Sequence, residues 1–141
     1  MTGVVDILAE KHQIEHTKII LDYLHINKTA KLIQASVLIG AKIAQVDREV
    51  YNLLEEAAEK IGLAFQIKDD LLDVLGDVNA IGKNTGRDKE LGKLTYTELF
   101  GVNKAEEMSQ KLKNESVNLL KQIGNSNGLI DIFEFLVDRN F

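Results

Sequence analysis

Five polar residues recur along one face of a predicted helix near the middle of the chain. They are Gln66, Asp69, Asp70, Asp73 and Asp77, called the acidic stripe below. At about 100° of rotation per residue they share an arc of about 100°. Apolar side chains cover most of the remaining circumference, which is typical of a largely buried helix. We therefore expect the acidic stripe to face a cleft or cavity rather than bulk water.

The charges of the acidic stripe have no counter-charge in the local sequence. Lys68 is the nearest cation, and the helical rotation points it to the opposite side. Asp69 and Asp73 lie four residues apart, where like charges repel by roughly 0.2–0.5 kcal/mol in an isolated helix. A hard divalent cation with oxygen ligands would offset this repulsion. The alternative is a solvated acidic face; an effect of the helix dipole is disfavoured because the stripe lies mid-helix.

Candidate phosphate-binding residues lie on both sides of this helix in the sequence. Lys28 and Thr29 begin a predicted helix after a polar break, and backbone N–H groups at a helix start favour anions. Residues 76–93 are predicted to form a long loop with four of the ten glycines, and Lys83 and Lys93 each directly follow a glycine. Carboxylates that can bind a metal and lysines that can bind phosphate are complementary, because a metal ion and a phosphate group also bind each other. The combination suggests a diphosphate bridged to Mg²⁺ between the helix and the loop.

The glycine loop does not match a nucleotide-binding P-loop. Gly76 and Gly82 are separated by five residues instead of four, and Asn84 follows Lys83 where serine or threonine is needed. Acyl transfer by a G-x-S-x-G nucleophile has no support either. The chain has no cysteine for a thiolate site, and the spacing of the three histidines does not form a metal-binding set: His12, His16 and His25.

The elements that position these residues are predicted to be helices in a single domain over residues 1–141. The chain has no proline, and 45% of its residues are hydrophobic. A net charge of −5 argues against nucleic acid as a partner. No apolar run approaches the length of a membrane span, so a cytoplasmic protein is expected. The predicted helices cover residues 16–24, 28–45, 48–75, 95–101, 103–123 and 129–137. Asp47 is the predicted N-cap of the third helix, in which Gly62 interrupts the apolar pattern before the helix continues.

Four motifs in order resemble the C-terminal half of the trans-isoprenyl diphosphate synthases, which include farnesyl and geranylgeranyl diphosphate synthases. The second motif contains a D-D-x-x-D sequence similar to the second aspartate-rich motif of that family. The resemblance extends over nearly the whole chain. The motifs are Asn27-Lys28-Thr29, then the segment from Gly62 to Asp73, then Gly82-Lys83-x-x-Gly86-x-Asp88, and finally Gly92-Lys93-x-Thr95-Tyr96.

The resemblance implies an all-α helical bundle around a central cavity and a prenyl transfer reaction. In that reaction an allylic diphosphate is joined head to tail to isopentenyl diphosphate. Mg²⁺ on the allylic diphosphate would be held by Asp69, Asp70 and Asp73. The resemblance further implies contacts to the diphosphate or its metals from Lys28, Thr29, Gln66, Lys83 and Lys93, the first four as catalytic residues.

The sequence also departs from the family pattern. It contains no second D-D-x-x-D motif, only three arginines (Arg48, Arg87 and Arg139), and Thr97 where the family often has proline. Three interpretations stay open: a fragment of a longer protein, half of a split enzyme, or an inactive relative. We expect the chain alone to be catalytically incomplete, and to form a homo-oligomer or pair with a complementary N-terminal half. The other functional classes are a non-catalytic metal-diphosphate-binding or regulatory subunit and a purely structural helical protein.

Overall fold

Helices make up most of the part of the chain that the computed structural model describes, residues 20, 23, 26–79 and 95–140. No strand occurs within these ranges, so the predicted all-α fold is confirmed. A π-helical turn leads directly into the first α-helix. The elements are the π-turn Ile26–Ala30, α1 Lys31–Ile43, α2 Arg48–Asn79, α3 Tyr96–Phe100, α4 Val102–Leu120 and α5 Asn127–Asp138.

Helix α2 is the central element, and it packs against the π-turn and against each of the other four α-helices. Its start is fixed by Asp47, whose carboxylate accepts a hydrogen bond from the backbone N–H of Val50 at 2.9 Å, as the predicted N-cap requires. The predicted end of the helix before Gly76 is wrong, because α2 continues to Asn79. A glycine inside a helix costs only about 1 kcal/mol, which the packing of a 32-residue helix offsets.

Helices α2 and α4 pack antiparallel at close range. Ser109 donates a hydrogen bond to the backbone carbonyl of Ala64 at 3.1 Å, and Ser116 donates one to the carbonyl of Ala57 at 2.7 Å. The two contacts are seven residues apart on each helix, which is about two turns. All four residues are fully buried. Since small side chains meet at both contacts, the helix backbones approach closely and the register between them is set.

Two apolar clusters form the core on either side of this contact. One contains Ile67, Leu71, Tyr96 and Ala105, and joins the C-terminal part of α2 to α3 and α4. This cluster lies under the segment of α2 that carries the acidic stripe. The other joins α1, α4 and α5 to the N-terminal part of α2, and its buried members are Ala41, Leu54, Ala57, Ile61, Ala64, Leu120, Phe133 and Val137.

Gly62 is the point at which the π-turn contacts α2. A Cβ atom at Gly62 would lie 2.6 Å from the Cα and 2.7 Å from the Cβ of Ala30. Real Cβ atoms do not approach other atoms this closely, so only glycine fits. The predicted continuation of the helix through Gly62 is confirmed, and the glycine that interrupts the apolar pattern allows this close approach.

The remaining predicted elements agree with the structure in position more than in length. The predicted helix 28–45 is observed as the π-turn followed by α1, and α4 ends at Leu120 rather than at residue 123. Most of the predicted helix 16–24, and the part of the predicted loop from 80 to 93, lie outside the described residues. Within the described ranges, none of the helices combines the length and apolarity that crossing a membrane requires.

The contact at Gly62 predicts an opposite response to the same substitution at two glycines of α2. We expect Gly62→Ala to lower the free energy of unfolding by about 1–3 kcal/mol, because the added methyl group overpacks the contact with Ala30. Urea denaturation monitored by circular dichroism measures this change.

Gly76→Ala is the matched control, since a Cβ at Gly76 would meet nothing within 4 Å. There the gain in helix propensity should raise the free energy of unfolding by about 0.5–1 kcal/mol. Equal effects of the two substitutions would contradict a steric role for Gly62.

Candidate functional site

The acidic stripe divides into a buried pair and an exposed pair. Gln66 and Asp70 are 9% and 6% exposed, whereas Asp69 and Asp73 are exposed to solvent. The side chain of Asp77 lies outside the described residues. Between the adjacent residues Asp69 and Asp70 the division follows from helix geometry, because successive residues differ by about 100° in direction. Only part of the stripe therefore points into the protein, and the expectation that all of it faces a cleft is wrong for the exposed pair.

Thr29 and Gln66, both predicted as site residues, are in direct contact. The Thr29 hydroxyl donates a hydrogen bond to the side-chain oxygen of Gln66 at 2.7 Å. The amide nitrogen of Gln66 has no hydrogen-bond partner among the described residues. A buried donor without a partner is costly, and such groups in native proteins are usually satisfied by something. Lys28 precedes Thr29 on the π-turn and is exposed.

Asp70 contributes to the fold at the start of α3. Its Oδ2 atom accepts a hydrogen bond from the backbone N–H of Tyr96 at 3.0 Å, and Tyr96 itself is fully buried. The first N–H groups of a helix have no partner within the helix, so a carboxylate there is stabilising. Thr95 satisfies a second such group by accepting from the N–H of Glu98 at 3.1 Å. Asp70 thus holds α3 beside the acidic stripe.

Arg139 forms an ion pair with Asp69, between side chains 70 positions apart in the sequence. The guanidinium also donates to the carbonyl of Leu136 and lies over the ring of Phe65, 4.2 Å from its centre. From the sequence we expect no cation on the acidic stripe, and for Asp69 that expectation is wrong. No local signal reveals the pair, because Arg139 reaches Asp69 only through the packing of α5. Lys68, as expected, points away and pairs with Glu106 at 3.8 Å.

The position of Arg139 is fixed by the end of α5. Lys113 on α4 donates to both carboxylate oxygens of Asp138, at 2.8 and 2.9 Å, and Gln110 donates to one of them at 3.2 Å. Burial alone raises the pKa of Asp138, but the hydrogen bonds from Lys113 and Gln110 outweigh it and lower the pKa below its ordinary value. The charged form is therefore favoured, and the ion pair keeps α5 against α4 at the residue before Arg139.

The donor set on α2 is chemically suited to a hard divalent cation. Asp69 and Asp73 present carboxylates one helical turn apart on the exposed side. Within the described ranges, no three acidic or histidine side chains are gathered closely enough to hold a metal by themselves. Mg²⁺ does not need such a cage, because it retains several waters and is commonly held by one or two carboxylates plus phosphate oxygens. Two other predicted site residues, Lys83 and Lys93, lie outside the described residues.

Comparison with known sequences gives one family. The sequence model of the family described as Polyprenyl synthetase matches residues 3–128. The farnesyl diphosphate synthase of Escherichia coli is 38% identical over 125 residues, which are 85% of this chain and 42% of that protein. Geranylgeranyl pyrophosphate synthase 4 of Arabidopsis thaliana is 37% identical over 122 residues, 85% of this chain and 33% of that protein. The chain thus spans less than half the length of these relatives.

Solved structures give the same result for the fold. A geranyltransferase from Helicobacter pylori, complexed with magnesium and isoprenyl diphosphate, superimposes with a TM-score of 0.74 at 31% identity. The match covers 97% of this chain and 45% of the other. Heptaprenyl diphosphate synthase from Staphylococcus aureus gives a TM-score of 0.87 at 21% identity, covering 99% of this chain and 56% of the other. The second likeness concerns the fold alone.

The different surroundings of Asp70, which is buried, and Asp131, which is exposed on α5, predict different costs for the same substitution. We expect Asp70→Ala to lower the free energy of unfolding by about 1–3 kcal/mol, because it leaves the N–H of Tyr96 buried without its acceptor. Chemical denaturation measures the loss.

Asp131→Ala serves as the control for Asp70→Ala. It removes the same charge from an exposed position of α5, and any gain in helix propensity is common to both variants. Its effect should stay within about 0.5 kcal/mol. Similar losses in the two variants would show that the bond to Tyr96 is not what makes Asp70 important for stability.

Proposed function

Because the chain belongs to the polyprenyl synthetase family, we propose that it forms the Mg²⁺- and allylic-diphosphate-binding part of an isoprenyl diphosphate synthase. The observation that carries this proposal is the grouping on one helix of hydrogen-bond donors and carboxylates. The Thr29–Gln66 pair lies about one turn of α2 from Asp69 and about two turns from Asp73. Donors suit a diphosphate, and carboxylates suit the metal that accompanies it.

Asp69 and Asp73 are the proposed direct ligands of Mg²⁺. Both are exposed, and both offer the hard oxygen donors that this ion prefers. Asp70 is buried and one of its oxygens holds Tyr96, so its main role in this proposal is to position α3. A direct part for Asp70 in metal binding stays a prediction. With two protein carboxylates, the remaining positions around the ion would be filled by water and diphosphate oxygens.

Gln66 is the proposed donor to the diphosphate from within α2. Its side-chain oxygen is occupied by the Thr29 hydroxyl, which leaves the amide nitrogen to donate. A phosphate oxygen would satisfy this buried group, and Thr29 would keep the amide from rotating. Lys28 would add positive charge from the π-turn. Lys83 and Lys93 stay predictions from the sequence for the same role.

The chemistry that these residues support is departure of diphosphate from an allylic carbon. The carbon–oxygen bond breaks with both electrons going to the diphosphate oxygen, and the allylic group becomes a cation. Bound Mg²⁺ would supply charge that stabilises the leaving diphosphate. Gln66 and Lys28 would stabilise the same developing charge through hydrogen bonds and proximity. The double bond of isopentenyl diphosphate then attacks the cation, and loss of a proton completes the new chain.

A second chain or segment is proposed to complete the active site. The chain spans 42% of the E. coli relative, and it contains a single D-D-x-x-D motif. An apolar face on α1 also lacks cover within the described structure, with Leu32, Ile39 and Ile43 exposed by 70%, 60% and 79%. Their spacing of seven and four residues places them on one side of α1. We propose that this face packs against a complementary N-terminal half or a second copy of the chain.

The binding function predicts a Mg²⁺-dependent interaction with inorganic diphosphate. Titration calorimetry of the chain with diphosphate should show binding in the presence of Mg²⁺ and loss of that component with EDTA. We expect Asp69→Ala to weaken the Mg²⁺-dependent component by about tenfold or more, because it removes a metal ligand.

Asp131→Ala is the matched control for the calorimetry, since Asp131 is an exposed carboxylate on α5 outside the acidic stripe. Its Mg²⁺-dependent affinity for diphosphate should equal that of the unmodified chain. A chain that binds no diphosphate at any Mg²⁺ concentration would contradict the proposed binding function and favour a purely structural helical protein.

The incomplete site predicts that the 15.8 kDa chain has no prenyl transfer activity by itself. When it is incubated with Mg²⁺, dimethylallyl diphosphate and isopentenyl diphosphate, it should not form a prenyl diphosphate longer than these substrates. Light scattering should detect an assembly larger than the monomer, because the apolar face of α1 favours association.

Product formed by the monomer would contradict both parts of this prediction. Diphosphate binding without turnover, even after a complementary N-terminal half is added, would favour the alternative of a non-catalytic binding or regulatory subunit.

A further inference from the structure

Arg139 is held against the proposed metal site by contacts on three sides. Its guanidinium donates to Asp69 and to the carbonyl of Leu136, and it lies over the ring of Phe65. The Arg139 side chain is only 8% exposed, although that of Asp69 is 47% exposed. Phe65 and Asp69 are four residues apart on α2, so the guanidinium covers two successive turns of the helix. A contact with this burial is more than a flexible surface pair.

We propose that Arg139 competes with the divalent cation for Asp69. This inference rests on the proposed function, in which Asp69 is a direct ligand of Mg²⁺. In the metal-free chain the guanidinium neutralises Asp69 and engages its Oδ1 atom. A divalent cation on the same carboxylate would face a positive charge within a few ångströms, where like charges repel strongly. Cation binding therefore requires that the Arg139–Asp69 ion pair be broken or weakened.

The position of Arg139 in the chain allows this exchange without loss of the fold. α5 ends at Asp138, and the backbone of Arg139 is extended, with φ −60° and ψ 152°. The side chain can rotate away while Lys113 continues to hold Asp138 against α4. In this motion the guanidinium leaves its contacts in the protein and interacts with solvent or with the incoming diphosphate instead. Asp69 thus changes from a partner of Arg139 to a ligand of the cation by side-chain motion.

The test is a Mg²⁺ titration of the chain at a fixed concentration of inorganic diphosphate, followed by calorimetry. We expect Arg139→Gln to tighten the apparent Mg²⁺ affinity by about threefold to tenfold, since the half-exposed Asp69 carboxylate leaves the ion pair partly screened by solvent. Arg139→Lys retains the positive charge and should stay closer to the unmodified chain. Thermal melts of both variants without metal confirm that they are folded.

Arg48→Gln is the matched control, because it removes the same type of residue from α2 about 30 Å along the helix from Asp69. It should leave the Mg²⁺ affinity unchanged. If the unmodified chain binds Mg²⁺ and Arg139→Gln binds it equally well or more weakly, the proposed competition is wrong. The proposed function is unaffected by that result. If neither the unmodified chain nor Arg139→Gln shows Mg²⁺-dependent binding, the proposed function and the competition are both wrong. If only Arg139→Gln binds, the competition is supported, and Arg139 then excludes the cation fully in the unmodified chain.

Discussion

The close approach of small residues to α2 is the constraint on which the rest of the structure depends. Gly62 leaves space only for Ala30, and Ala57 and Ala64 meet the serines of α4 through direct hydrogen bonds. Interiors packed at this density do not absorb an extra methyl group without moving a backbone. The π-turn and α4 are thereby fixed relative to α2. Thr29, one residue before Ala30, reaches Gln66 only because this spacing is held.

Helix α2 places some of its polar side chains in the core and some of its charged side chains on the exposed side. Its inward polar residues are matched by partners in the protein: the Thr29 hydroxyl for the oxygen of Gln66, and the N–H of Tyr96 for Asp70. Burial of a polar group without a partner would cost more than these hydrogen bonds gain. Asp69 and Asp73 remain on the exposed side of α2. The division separates the residues that hold the fold from those proposed to hold the metal.

Much of the fold could be predicted from local patterns. The N-cap at Asp47, the apolar periodicity of α2 on both sides of Gly62 and the short helix after Thr95 depend on neighbouring residues, and each appears in the structure. The inward turn of Asp70 also follows from the 100° step between adjacent helical residues. Asp69 and Asp70 therefore stand at opposite edges of the arc of about 100°, where Asp69 is exposed and Asp70 is buried.

Other features could not be predicted because they depend on contacts between distant segments. Gly62 looks like an interruption in the sequence, and only the position of Ala30 shows why a side chain is excluded there. Arg139 reaches Asp69 across 70 positions through the packing of α5 on α4, which no periodicity encodes. The absence of a cation nearby in the sequence is therefore weak evidence that an acidic residue has no counter-charge in the folded protein. The proposal of a metal site rests on the family match and on carboxylates placed beside the amide nitrogen of Gln66, which has no partner within the described part of the chain.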